Sequence, residues 1–298
     1  MHTNVKTALG IFLFFFFGLN ALWNISESYY HRLKTLGDSM PVFSFLNPEL
    51  FALVFVPLVV ATAWRAWSGA SHWSSVWFHS GVPLGLIASS ISMNGVLDTL
   101  NIEQTRILVG ESLLAVFYGG VVSFIGYSFL GNVYIQREDR RQSNIAKAFV
   151  FLLINLILAA SMHFLNFGGI MRFTYLPTVA IIFAFGAAFL LINRDESKCF
   201  CQLVCEAMVM ASLAAVMIAV ISYNFYQGYV ETIGIIINIG ILGPLYASSV
   251  IFYCATFFSD KDLRATNFGR INWHLLEIYS LWILMCLAPR SMLEMPVF

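Results

Sequence analysis

The stretch ILVGESLLAVFYGGVVSFIGYSFLGNVY, Ile107–Tyr134, runs for 28 residues with a single charge, Glu111. At 1.5 Å of rise per residue a helix of that length reaches roughly 40 Å. The hydrocarbon core of a bilayer is about 30 Å thick, so this segment is long and apolar enough to cross it and protrude. Inside lipid every backbone amide must be bonded within the segment, which makes the segment a helix. An outer-membrane strand would alternate apolar and polar residues, and this stretch does not.

Working outward, the same reading places spans near Ala8–Asn24, Pro48–Trp64, Gly81–Leu97, Ala146–Leu165, Pro177–Ile192, Leu203–Tyr223 and Thr232–Phe258. A ninth candidate, Ile271–Ala288, carries His274 and Glu277. Composition agrees. Of 298 residues 59% are hydrophobic and 11% charged, against about 45–50% and 25% in soluble domains. A soluble globule so composed could not cover its surface with polar groups. The formal net charge is zero, so the chain lacks the basic footprint of a nucleic-acid binder. The fold class expected is an all-α polytopic membrane protein of eight or nine transmembrane helices.

Positive charges set the orientation. With the N-terminus inside, eleven Lys and Arg fall on inner segments and five on outer ones (Arg32, Lys34, Arg106, Arg172 and Arg290). A multi-pass protein of the inner (plasma) membrane with a cytoplasmic N-terminus is expected. Lys6 and the apolar run Ala8–Phe17 resemble the first half of a signal peptide, but no small-residue cleavage site follows, so a retained first span is expected.

The chain reads as two copies of one pattern. Gly37-Asp38 precedes Asn47-Pro48, which opens an apolar helix; Gly168-Gly169 precedes Leu176-Pro177, which opens another. Proline suits the first helical turn, where its missing N–H has no role. Each half continues with a short inner loop, a third helix, a tight outer turn and a long fourth helix. Gly110 and Gly119 of the first long helix correspond to Gly234 and Gly243 of the second. This predicts two parallel four-helix repeats, residues 1–141 and 142–260, followed by a C-terminal segment 261–298. Parallel copies argue against an inverted-repeat transporter.

Those segments resemble the MotA/TolQ/ExbB proton-channel superfamily. Gly37-Asp38 with Asn47-Pro48-Glu49-Leu50 is similar to that family's first outer loop and second helix, and Gly168-Gly169-Ile170 with Leu176-Pro177-Thr178 repeats the likeness. Gly81-Val82-Pro83-Leu84 resembles the start of its third helix, and Ala115-Val116-Phe117-Tyr118-Gly119-Gly120 the Tyr-Gly signature of its fourth. The resemblance implies an ion-driven or scaffolding complex, assembly into oligomers, and a single-span membrane partner that supplies an acidic residue. It places helix starts at Pro48, Pro83 and Pro177, and Tyr118 and Gly119 beside an ion path. The sequence also departs from the family. The loops at Arg65–Ser80 and Asn193–Gln202 are too short for a rotor-pushing insertion. Ala115 and Val116 stand where a hydroxyl residue faces the proton path, and the second half has Ile241-Leu242-Gly243-Pro244 in place of Tyr-Gly.

Ionisable groups within spans are functional candidates because their burial is costly. Glu111, about one turn inside its helix, is the best single acid. Asp98, Glu103 and Arg106 read as a solvated turn, and Glu206 and Glu231 as interfacial. Asn155 and His163 share roughly one face of the fifth helix; with Asn238 they would serve the alternative reading, a parallel-repeat transporter of a small solute. Elsewhere such neutral polar groups act as interhelical hydrogen-bond glue. Cys199, Cys201 and Cys205 lack paired C-x-x-C spacing and a neighbouring histidine, so no metal is expected. No nucleotide loop, H-E-x-x-H or G-x-S-x-G motif occurs, so neither cofactor nor enzymatic activity is expected. A purely structural or assembly role completes the alternatives.

Overall fold

The computed structural model describes residues 47–69, 73–94, 102–130, 143–165, 173–193, 198–225 and 230–293. Every regular element among them is helical: α1 (Pro48–Trp67), α2 (Trp73–Asn94), α3 (Ile102–Leu130), α4 (Asn144–Leu165), α5 (Leu176–Ile192), α6 (Phe200–Phe225), α7 (Val230–Phe257), α8 (Asp260–Ala265) and α9 (Phe268–Leu293). Six of these, α1, α2, α3, α4, α6 and α7, contain stretches long and apolar enough to cross a membrane. The chain is a polytopic α-helical membrane protein. The expected span Ala8–Asn24 and the motif glycines Gly37, Gly168 and Gly169 lie outside the described residues.

Local chemistry explains the helix ends. The Asn47 side-chain oxygen accepts from the backbone N–H of Glu49 (3.1 Å) and Leu50 (3.2 Å), and Pro48 follows at the first position; this cap satisfies two otherwise unpaired donors. The far end of α1 stops at Gly69, whose φ of 73° is the left-handed conformation in which glycine closes helices. Ser259 caps α8 through the Asp262 N–H at 3.2 Å. Pro177 sits in the first turn of α5, as the sequence predicts. The two long helices, α3 and α7, hold 29 and 28 residues, matching the length expected of them.

Pro83 requires a correction. It is not at a helix start but ten residues inside α2, which begins at Trp73. Proline there withholds a donor and crowds the preceding turn. The neighbouring helix makes the adjustment: the Ser123 hydroxyl donates to the Phe78 carbonyl (3.1 Å) and accepts from the Val82 N–H (3.0 Å). Membrane helices tolerate proline where neighbours satisfy the disturbed backbone in this way.

From His79 to Asn94 every residue of α2 is buried. This helix is the axis of the bundle, packed on α3, α7, α1 and α9. Its contact with α3 is backbone to backbone: a Cβ on Gly85 would lie 2.9 Å from both the Ala115 carbonyl oxygen and the Gly119 Cα. Small residues permit this approach, and dispersion over the close surface holds the pair. The pairings α1 with α2, α2 with α3, and α1 with α3 have counterparts in α5 with α6, α6 with α7, and α5 with α7. The sets interlock through α2 and α7.

Helix α9 covers the region of the ninth candidate span, Ile271–Ala288. It runs deep along the bundle. Phe268 stacks on His79 with ring centroids 4.3 Å apart, the Tyr279 hydroxyl bonds that of Ser89, and Trp282 lies over Gly240.

Candidate functional site

The start of α1 meets the middle of α3 in a polar cluster. The Asn47 side-chain amide donates to the Glu111 carboxylate at 3.4 Å, and the Asn47 backbone N–H donates to the Tyr118 hydroxyl at 3.3 Å. Asn47 is fixed in turn because its own carbonyl oxygen caps α1. Glu49 lies near enough to Glu111 for its charge to be felt there. Tyr118 is buried, its ring edge-on to Phe51 at 5.8 Å. Two motif segments far apart in sequence, Asn-Pro and Tyr-Gly, thus share one site with the acid singled out from the sequence.

Gly119, next in chain, serves packing: a Cβ there would stand 2.7 Å from the Gly85 Cα. Ala115 is fully buried, with its carbonyl against Gly85. The position where a hydroxyl is expected from the family pattern is therefore occupied by the α2–α3 contact.

The remaining sequence candidates lie elsewhere. Asn155 donates to the Phe151 carbonyl (2.8 Å) and accepts from the Tyr253 hydroxyl (3.0 Å), joining α4 to α7. Tyr253 is fifteen residues beyond Asn238 on α7, about 22 Å along the helix axis, so Asn155 and Asn238 do not converge on one small ligand. His163 is exposed near the end of α4, and Asn238 is half-buried. Glu206 is held by Lys198 (2.8 Å) and Gln202 (2.8 Å).

Three features escaped the sequence reading. Tyr246 of α7 donates to the Phe173 carbonyl just before α5, so each half ties a tyrosine of its long helix to the approach to its proline-started helix. Tyr246 stands three residues after Gly243, whereas Tyr118 immediately precedes Gly119; the offset hid the correspondence. Arg65, only 2% exposed, donates to the Phe258 carbonyl at 2.6 Å, placing a cation at the C-terminal end of α7 where the helix dipole favours one. Finally, Cys254 of α7 joins Cys201 and Cys205 of α6 in a buried group. Comparison of the chain with protein-family models, curated proteins and solved structures finds no match.

Proposed function

We propose that the protein is the membrane-embedded subunit of an ion-driven, proton-channel-like complex, built from two MotA/TolQ/ExbB-like four-helix units and completed by a single-span partner carrying an acidic residue. The observation that carries this reading is the cluster of Asn47, Glu111 and Tyr118, which unites both motif segments of the first half around one acid. The recurrence of helix pairings in the second half, and the Tyr246–Phe173 tie, support a tandem arrangement. Glu111 takes and releases the proton, Asn47 orients its carboxylate, and the Tyr118 hydroxyl, accepting from the Asn47 backbone N–H, holds Asn47 in place. Arg65, Lys198, Lys261, Arg264 and Arg270 all belong to the opposite end of the bundle, which supports placing that end in the cytoplasm of a cell bounded by this plasma membrane.

The test has two parts. Purification from native membranes in mild detergent is expected to bring down a single-span protein with an acidic residue in its span. Reconstituted with that partner in vesicles containing a pH-sensitive dye, Glu111→Gln is expected to cut proton flux at least about tenfold, the lower end of what a positioned proton-transfer group contributes. A chain that stays monomeric and partnerless, or flux unchanged by Glu111→Gln, would sink the proposal. A scaffolding role is the second reading, favoured by the backbone-to-backbone closure of α2 on α3 at Gly85 and Gly119. It expects the partner to bind and Glu111→Gln to be silent.

A further inference from the structure

At the end of the bundle away from Glu111, three thiols converge. Cys201 and Cys205 are four residues apart and share a face of α6, and Cys254 reaches them from the last turn of α7. Their sulfur atoms all lie within 4.8 Å of one another, and the residues are 0%, 0% and 4% exposed. Among the described residues no imidazole or carboxylate joins the group. The Thr266 hydroxyl, just beyond α8, stands beside Cys201 and lies 3.3 Å from the sulfur of Cys199. Cys199 is only half-buried and contacts the Asp262 carbonyl at 3.6 Å. A fourth, more exposed thiol therefore stands near the buried three, across the Thr266 hydroxyl.

Isolated buried cysteines act as small hydrophobes. Three sulfurs from two helices, packed against each other with a hydroxyl at their edge, form a donor set. Its chemistry is selective. Zinc in a closed site takes four ligands in a tetrahedron, whereas soft thiolates without nitrogen or oxygen partners suit Cu(I). With metal–sulfur bonds of about 2.3 Å, a trigonal ion would hold the sulfurs about 4 Å apart, inside the observed spread. Three buried thiolates with no cation would repel one another, so the metal-free group cannot be fully ionised and a metal binds by displacing protons. We propose that Cys201, Cys205 and Cys254 form a three-sulfur site for a soft monovalent cation of the Cu(I) class, and that Cys199 captures the ion and passes it inward by ligand exchange. The site is independent of the proton-path reading.

The experiment uses the full chain, reduced and anaerobic in mild detergent, with Cu(I) titrated against the chelator bathocuproine disulfonate. One Cu(I) per chain is expected. Cys254→Ala, which keeps a small apolar group in place, should weaken binding more than about 100-fold, beyond the loss typical of outer-shell changes. Cys199→Ser should leave the equilibrium affinity within about threefold but slow uptake. X-ray absorption at the copper edge of the loaded wild-type protein, which requires no variant to fold, should show three sulfur neighbours. Equal affinity in wild type and a monodisperse Cys254→Ala, nitrogen or oxygen ligands at the copper, tighter binding of Zn(II) than of Cu(I), or a native disulfide among the three would each overturn the proposal.

Discussion

Gly119 and Gly120 are neighbours on α3 with opposite surroundings. A Cβ on Gly119 would meet the Gly81 carbonyl oxygen at 2.5 Å and the Gly85 Cα at 2.7 Å, both backbone atoms that cannot swing away; one on Gly120 would meet nothing within 4 Å. Gly119→Ala should therefore destabilise the protein by about 2 kcal/mol, as forced overpacking does. Gly120→Ala should stabilise it by about 0.5–1 kcal/mol through the helix preference of alanine alone. Denaturant unfolding in micelles measures both, and equal effects would remove the α2–α3 contact as drawn. At this scale the sequence was partly legible. It marked Glu111 as a candidate from residue type and place, and Tyr118 and Gly119 through the family resemblance. It could not separate Gly119 from Gly120, because which face of a helix meets a neighbour depends on partners 34–38 residues away.

Helices come next, and Pro83 shows where reading by element stops. A proline at the head of an apolar run looks like a helix start, and for Pro48 and Pro177 that reading holds. At Pro83 the same residue lies within α2 because Ser123, forty residues downstream, supplies the bridge between Phe78 and Val82. Ser123→Ala should cost about 1–3 kcal/mol, the penalty for leaving a buried backbone group without its partner. Ser123→Thr keeps the hydroxyl but adds a methyl close to Gly81, so it should restore little. The informative comparison is Ser123→Ala alone against Ser123→Ala combined with Pro83→Ala, by thermal unfolding. If Ser123 acts by mending the proline's disturbance, the loss in the second background should shrink. An unchanged loss would mean that the hydroxyl only fills space. The cysteine group was hidden for the same reason: Cys254 is 49 residues from Cys205 in sequence, and only the α6–α7 pairing brings them together.

For the whole molecule, the least hydrophobic of the six membrane-length helices, α2, is the most buried, while the strongly apolar α4 is the most exposed. Water would drive the reverse order; lipid gives this one, since small and hydroxyl-bearing residues belong where helices touch. Helix α9 extends the argument. Arg270, His274 and Glu277 form a bonded row on its outer side, Arg270 to His274 at 3.2 Å and His274 to Glu277 at 2.9 Å. Its inner side buries Ile271, Leu275, Ile278, Tyr279 and Trp282. The inner side is what holds this helix against the bundle, and its docking should hinge on few contacts. Trp282, 1% exposed, is the largest, and it fits only because Gly240 has no side chain: a Cβ there would fall within the indole. Gly240→Leu should therefore expel the ring and release α9, raising hydrogen–deuterium exchange across Phe268–Leu293 while α2 and α3 keep their protection. Trp282→Ala should loosen the same helix by about 3–5 kcal/mol through the cavity it leaves. Adding it to Gly240→Leu should cost little more, because the ring has already gone. Additive losses from the two changes, or exchange that rises in α2 as much as in α9, would show that α9 is part of the cooperative core and not a helix docked upon it.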